Sequence, residues 1–224
     1  RAPRLHVAGR PQISDAPGTL PVRKAPLGPV HLTEGKHAFG LRLKQGTSIG
    51  LVALRISPRS PLVKDFAVLG PFAVNGLGGV NAPMAPDGQA PDLTRTFSDS
   101  GFVRKWTVLH TSTGLLDLAE TLTPNENVAA FVSFAVKAPQ AQTVPLMLGS
   151  DDGVKVWVNG KLAFTNDALR GFKLDEDKVT APLKAGWNTV VIKVNQAAKA
   201  WAISARIPDP KGLLRFEPLA PEGS

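Results

Sequence analysis

"LGSDDGVKVWVNGKL", residues 148–162, sets an acidic pair inside a stretch that otherwise reads as two short strands. "VKVWV" alternates apolar and polar side chains in the two-residue period of a half-buried strand. Asp152-Gly153 and Asn159-Gly160 bracket it, and both dipeptides accept the positive φ that tight turns require. On this reading Asp151 and Asp152 turn the chain between strands. The other reading of the same residues is chemical: adjacent carboxylates supply hard oxygen ligands of the kind Ca²⁺ takes six to eight of.

Working outward, the same strand grammar fills the chain. "FGLRL", "SIGLVALRI", "GFVRKWTVLH", "GLLDLAETL", "NVAAFVSFAV", "VPLMLGS", "TVVIKV" and "AWAISARI" are apolar or alternating runs bounded by Gly, Pro, Asn or Thr. Turns recur about every 8–12 residues, the spacing of a sandwich or barrel. No segment keeps a 3.6-residue period with caps for ten residues, so the fold class is all-β, a jelly-roll-like β-sandwich. "GPFAVNGLGGVNAPMAPDGQAPDLTR" (70–95) is a long Gly/Pro-rich loop, where a binding surface is expected.

The chain also matches itself. Residues 5–62 overlie 156–213 at a constant offset of 151 without a gap: Val7 on Val158, Gly9 on Gly160, Leu32 on Leu183, Gly35 on Gly186, Gln45 on Gln196, Arg55 on Arg206 and Ile56 on Ile207. Both turn glycines, the alternation and the Arg-Ile ending agree, the mark of a tandem repeat. The expected organisation is the C-terminal half of a first sandwich over 1–60, a complete repeat over 61–212, and a tail or linker over 213–224. Arg1 then falls on Asp152, inside a repeat, so the missing half is expected either from the same parent protein or from another chain by strand addition.

Composition narrows the chemistry. Of 224 residues 43% are hydrophobic and 20% charged, enough for a buried core. There is no cysteine, which excludes disulfides and thiol catalysis. No apolar run approaches the ~20 residues of a membrane-spanning helix, and "RAPRLHVAGR" has no apolar signal core, so any export signal is expected outside this chain. The formal charge is +8, and it is uneven: residues 1–64 hold eleven Lys/Arg against Asp15 and Glu34 alone. Such a field suits an anionic polymer or an acidic partner. The cations are dispersed without interleaved aromatics, so sequence-specific nucleic-acid recognition is not expected.

Other site chemistry is sparse. No Gly-x-Ser-x-Gly elbow occurs. "NGLGG" lacks the Gly-Lys-Ser/Thr ending of a phosphate loop. Asp99, Asp117 and Glu120 show no pairing in sequence. His6, His31, His37 and His110 are scattered, although His31 and His37 flank the "LTEGK" turn. No catalytic residue is expected. Trp106, Trp157 and Trp201 lie among apolar neighbours and read as core, whereas Trp187, beside the Gly186 turn, is the tryptophan expected to be exposed and able to stack on a ligand.

"SDDGVKVWVNGKL" followed by "LKAGWNTVVIKV" (183–194) resembles protective-antigen-type lectin domains and, more loosely, the galactose-binding-like jelly rolls that serve as accessory modules of large bacterial secreted proteins; the likeness covers about 147–207. The resemblance implies a non-catalytic carbohydrate-binding or adhesion module, extracellular or in a bacterial cell envelope, with carbohydrate or another protein domain as partner. It also implies that Asp151 and Asp152 hold calcium. The alternative is a structural spacer or protein-interaction repeat with no small ligand.

Overall fold

A computed structural model describes residues 60–74, 79–221 and 223, within the second of the chain's two units, Ser60–Ser224. The expected first half-repeat, with His6, His31 and His37, lies outside the described residues. The strands in chain order are β1 (Asp65–Ala73), β2 (Thr96–Asp99), β3 (Phe102–Lys105), β4 (Thr107–His110), β5 (Leu116–Asp117), β6 (Val128–Ala138), β7 (Gln142–Ser150), β8 (Val154–Val158), β9 (Lys161–Asn166), β10 (Asp177–Leu183), β11 (Gly186–Gln196), β12 (Ala202–Arg206) and β13 (Arg215–Glu217). One helical turn, α1 (Leu118–Thr121), follows β5, and a 3-10 turn spans Gly79–Asn81.

The strands form a jelly-roll-like sandwich. The larger sheet runs β4-β1-β6-β11-β8-β9, with β13 also paired to β6; the smaller runs β10-β7-β12-β5; β2 and β3 make a separate hairpin. Every pairing is antiparallel. Between the sheets, alternate residues interlock: Val132, Phe134, Val190 and Ile192 from the larger sheet meet Leu146, Leu148, Val179 and Ile203 from the smaller. This is the two-residue period of the sequence made physical.

Three local features depart from the sequence reading. First, "GLLDLAETL" is not one strand. Asp117 accepts a hydrogen bond from the Glu120 backbone N–H at 3.0 Å and so caps a helical turn at its N-terminus. Second, Asp152-Gly153 does not close a hairpin, because β7 and β8 belong to different sheets, and the pair turns the chain across the sandwich. Asn159-Gly160 does close one, with φ of 52° and 77°, between β8 and β9. Third, the segment read as a tail carries β13, whose Phe216 packs against the inter-sheet core while Arg215 and Glu217 point outward. Three residues with a single apolar side chain are too short for a strand signal in sequence.

A second cluster lies on the outer face of the larger sheet. Ala67, Leu69, Phe131, Trp157 and Val191 face away from the sandwich and are covered by Phe72, Phe97 and Trp106. This explains why β6 is buried along nearly its whole length and reads as a continuous apolar run, as strands with both faces covered do.

Candidate functional site

The acidic pair is embedded in the structure. Asp151 and Asp152 are only 8% and 6% exposed. Asp152 adopts φ 55°, a left-handed conformation that aspartate tolerates. Its Oδ1 accepts the Arg170 backbone N–H at 3.0 Å and its Oδ2 accepts that of Ala197 at 2.7 Å. Asp151 Oδ2 accepts the Phe172 backbone N–H at 3.3 Å. The pair therefore ties together the β9–β10 loop (167–176) and the β11–β12 loop (197–201). Gly153 must lack a side chain, because a Cβ there would stand 2.7 Å from both the Asn166 carbonyl oxygen and Asn195 Oδ1.

Arg170 extends this clasp. Its guanidinium donates to Ser150 Oγ at 2.7 Å and to Asp177 Oδ1 at 3.2 Å, and it pairs with Asp177 Oδ2 and, at 3.6 Å, with Glu176. The Asp177 hydrogen bond holds the arginine more firmly protonated than usual. Further along, Asp175 Oδ1 accepts from Arg206 Nε at 2.8 Å, which lays the loop on the outer face of the smaller sheet. Burial, reinforced by the neighbouring Asp152 charge, raises the Asp151 pKa above the ordinary carboxylate value.

Those contacts test the calcium expectation. Three of the four carboxylate oxygens already receive backbone N–H groups, and a guanidinium pairs with the next carboxylate along. Among the described residues no cluster of three or more His, Cys, Asp or Glu side chains is disposed to hold a metal. As folded, this donor set does not suit a hard cation that needs six to eight oxygens.

The long Gly/Pro-rich loop lies on the outer face of the larger sheet. Gly88, at φ 70°, sits so close to Trp157 that a Cβ would be 3.0 Å from the indole Cδ1. Lys193 is fully buried beneath the same loop. Its Nζ donates to the Ala82 carbonyl and to Asp87 Oδ1 at 3.3 Å, and lies 5.7 Å from the Phe131 ring centre. Burial lowers its pKa, and Asp87 opposes that shift. Lysine is thus the latch that fastens the loop.

Where the loop meets β2, a groove of about 570 Å³ opens. Its apolar lining includes Phe72, Met84 and Phe97, and its polar lining includes Arg95, Ser98 and Asp99. The Phe72 and Phe97 rings meet edge to face at 6.4 Å, and the Arg95 guanidinium lies 4.9 Å from the Phe97 ring centre. Arg95 Nη1 also donates to Gln89 Oε1 at 2.6 Å. Asp99 Oδ2 accepts the Ala73 backbone N–H at 2.8 Å, tying β2 to the end of β1. Most of its lining falls within the 70–95 stretch where the sequence suggested a binding surface, and Thr96–Asp99 of β2 complete it.

The tryptophans divide clearly. Trp106, Trp157 and Trp201 are buried, whereas Trp187 is half-exposed on β11 with Lys137 Nζ 5.8 Å from its ring centre. Among the other sequence candidates, Asp117 caps α1, Glu120 is exposed, and His110 Nδ1 lies 2.7 Å from Asp65 Oδ1 at the surface.

No family model and no curated protein matches the chain. Among solved structures it is similar to a family 35 carbohydrate binding module from an environmental isolate, at 22% identity, covering 50% of this chain and 82% of that one, with a TM-score of 0.37. It is also similar to a β-glucosidase from Kluyveromyces marxianus in complex with glucose, at 10% identity over 65% of this chain and 16% of that one, TM-score 0.40. A third is the GH31 α-xylosidase from Xanthomonas citri, at 12% identity over 70% of this chain and 17% of that one, TM-score 0.32.

Proposed function

We propose that the module is a non-catalytic carbohydrate-binding accessory domain whose ligand lies in the groove between the long loop and β2. One observation carries this reading: the groove joins an aromatic and thioether floor to a charged rim, with Phe72, Met84 and Phe97 beside Arg95, Ser98 and Asp99. A sugar ring presents the complement, an apolar C–H face and a girdle of hydroxyls. Ligand sites of this kind are mostly apolar with a few placed polar groups. Binding here needs no metal, because Asp151 and Asp152 are committed to backbone donors elsewhere.

The test is titration of the full chain with neutral gluco-, xylo-, galacto- and manno-oligosaccharides, with and without chelator. Hydrogen bonds to charged groups contribute roughly 1.5–3 kcal/mol, so Arg95→Ala should weaken binding about 10- to 100-fold. Chelator should change nothing. The reading fails if no sugar binds, or if Arg95→Ala and Met84→Ala leave binding untouched.

A second reading, a protein-interaction repeat, is favoured by Phe102 and Val103, adjacent on β3 and 58% and 68% exposed. It takes precedence if the sugar titrations are negative and Phe102→Ser/Val103→Ser shifts the association state in sedimentation.

A further inference from the structure

The larger sheet carries a second set of outward groups, away from the groove. In the register of the sheet, Arg215 on β13 lies opposite Lys137 on β6, and Lys137 lies opposite Trp187 on β11. Phe216, Val136 and Val190 belong to the inter-sheet core, so by strand alternation Arg215, Lys137 and Trp187 share the outer face. Both cations are exposed and the indole is half-exposed. Neighbouring strands are about 4.8 Å apart, so the row spans about 10 Å across three strands.

No ion pair among the described residues neutralises this row. Among the described residues neither Lys137 nor Arg215 has a carboxylate within 4.0 Å. Among the described residues Glu217 stands a row further along on this face, opposite Ala135. It repels an anion from that side and leaves the Gly186 end open. Lys137 Nζ at 5.8 Å from the Trp187 ring is a weak exposed contact that a ligand can replace. In sequence, the pair lies outside the basic excess of residues 1–64.

We infer that Arg215, Lys137 and Trp187 form a subsite for an acidic sugar, one bearing a carboxylate or a sulfate ester. The ring stacks on the indole, and the anion takes charge-assisted hydrogen bonds from the guanidinium fork and the ammonium. A nucleic acid fits less well, because its affinity comes from many phosphate contacts and this row offers two cations. The inference rests on the carbohydrate reading above and adds the ligand's charge.

The experiment pairs each acidic probe with its neutral counterpart: oligogalacturonate with its methyl ester, and a dextran sulfate fragment with plain dextran of the same length. Each is titrated calorimetrically into the full chain at physiological salt. Both acidic probes, or one of them, should bind at least about tenfold tighter than the neutral match; which one does so distinguishes carboxylate from sulfate. Lys137→Ala/Arg215→Ala should abolish that preference, and Trp187→Ala should weaken the acidic probes and leave neutral binding at the groove unchanged. A charge-matched control, Lys178→Ala/Lys211→Ala, removes two exposed lysines elsewhere and should leave the preference intact. Equal affinity for acidic and neutral probes overturns the inference while neutral binding at the groove keeps the broader reading. An equal drop in both double variants also overturns it, since a diffuse field would then be responsible. Failure of every sugar to bind removes both readings.

Discussion

Replacing Asp152 with alanine tests whether the acidic pair is a clasp for two loops. The carboxylate of Asp152 accepts N–H groups from Arg170 and Ala197, residues 18 and 45 positions away in sequence. Alanine strands both donors, and each stranded buried donor costs about 1–3 kcal/mol. Both sites are partly buried, so water recovers some of this, and about 3 kcal/mol is the expected sum at the lower end of that range. The backbone adds little to this, because aspartate already carries at φ 55° the Cβ that alanine keeps. Urea unfolding of Asp152→Ala should therefore show a loss of about 3 kcal/mol at unchanged slope. Asp152→Gly removes the same acceptors and also that Cβ, so it should be about 1 kcal/mol less damaging than alanine. Two outcomes refute the reasoning. One is a loss under about 1 kcal/mol in Asp152→Ala. The other is a wild-type chain that chelator destabilises as much as the substitution does, for then a cation, and not the two N–H groups, is what the carboxylates hold.

The neighbouring aspartate, Asp151, makes stability depend on pH. Its folded pKa is raised, so between the ordinary carboxylate value and that raised value the folded chain binds more protons than the unfolded one, and stability falls as pH rises through this window. Asp151→Asn should accordingly be more stable than wild type at pH 7, with the advantage gone in acid below about pH 4; an advantage that grows on acidification contradicts the assignment. Lys193→Met keeps the buried bulk but releases Ala82 and Asp87, at a cost of about 1–3 kcal/mol. Amide exchange should accelerate over residues 82–89 and sugar affinity should fall, because Ala82 lines the groove. Destabilisation without faster exchange in the loop would mean that the lysine is not its latch.

How far the sequence foretells this molecule depends on the distance between the residues that decide each feature. The sandwich was legible because alternation in β8 and the apolar runs of β6 and β11 are properties of single segments. The Asn159-Gly160 hairpin was legible for the same reason. Asp151 and Asp152 read in sequence both as a turn and as a cation site, because what separates the two readings is which groups approach the carboxylates, and those come from Arg170, Phe172 and Ala197. The role of the Gly/Pro-rich loop was half visible. Its composition marks an irregular surface segment, but the signal that it covers a sheet lies elsewhere, in the apolar residues that β6 and β11 present to their outer side. A strand apolar on both faces requires a second cover, and Gly88 against Trp157 shows the loop supplying it.

The same point narrows where a ligand can act. Both long outward loops have their polar groups tied up in holding themselves down: Asp87 to Lys193 on one face, Asp175 to Arg206 and Asp152 to Arg170 on the other. Groups already matched inside the fold must be released before they can recognise anything outside it, which costs about what each contact contributes. Lys137 and Arg215 carry no such cost among the described residues, and the hydrogen bond that Arg95 would leave goes to a neutral partner, Gln89. On the proposed reading, affinity is expected at the groove and along the Arg215–Lys137–Trp187 row. The acidic pair, which stands out most in the sequence, instead holds the loops of the scaffold that presents them.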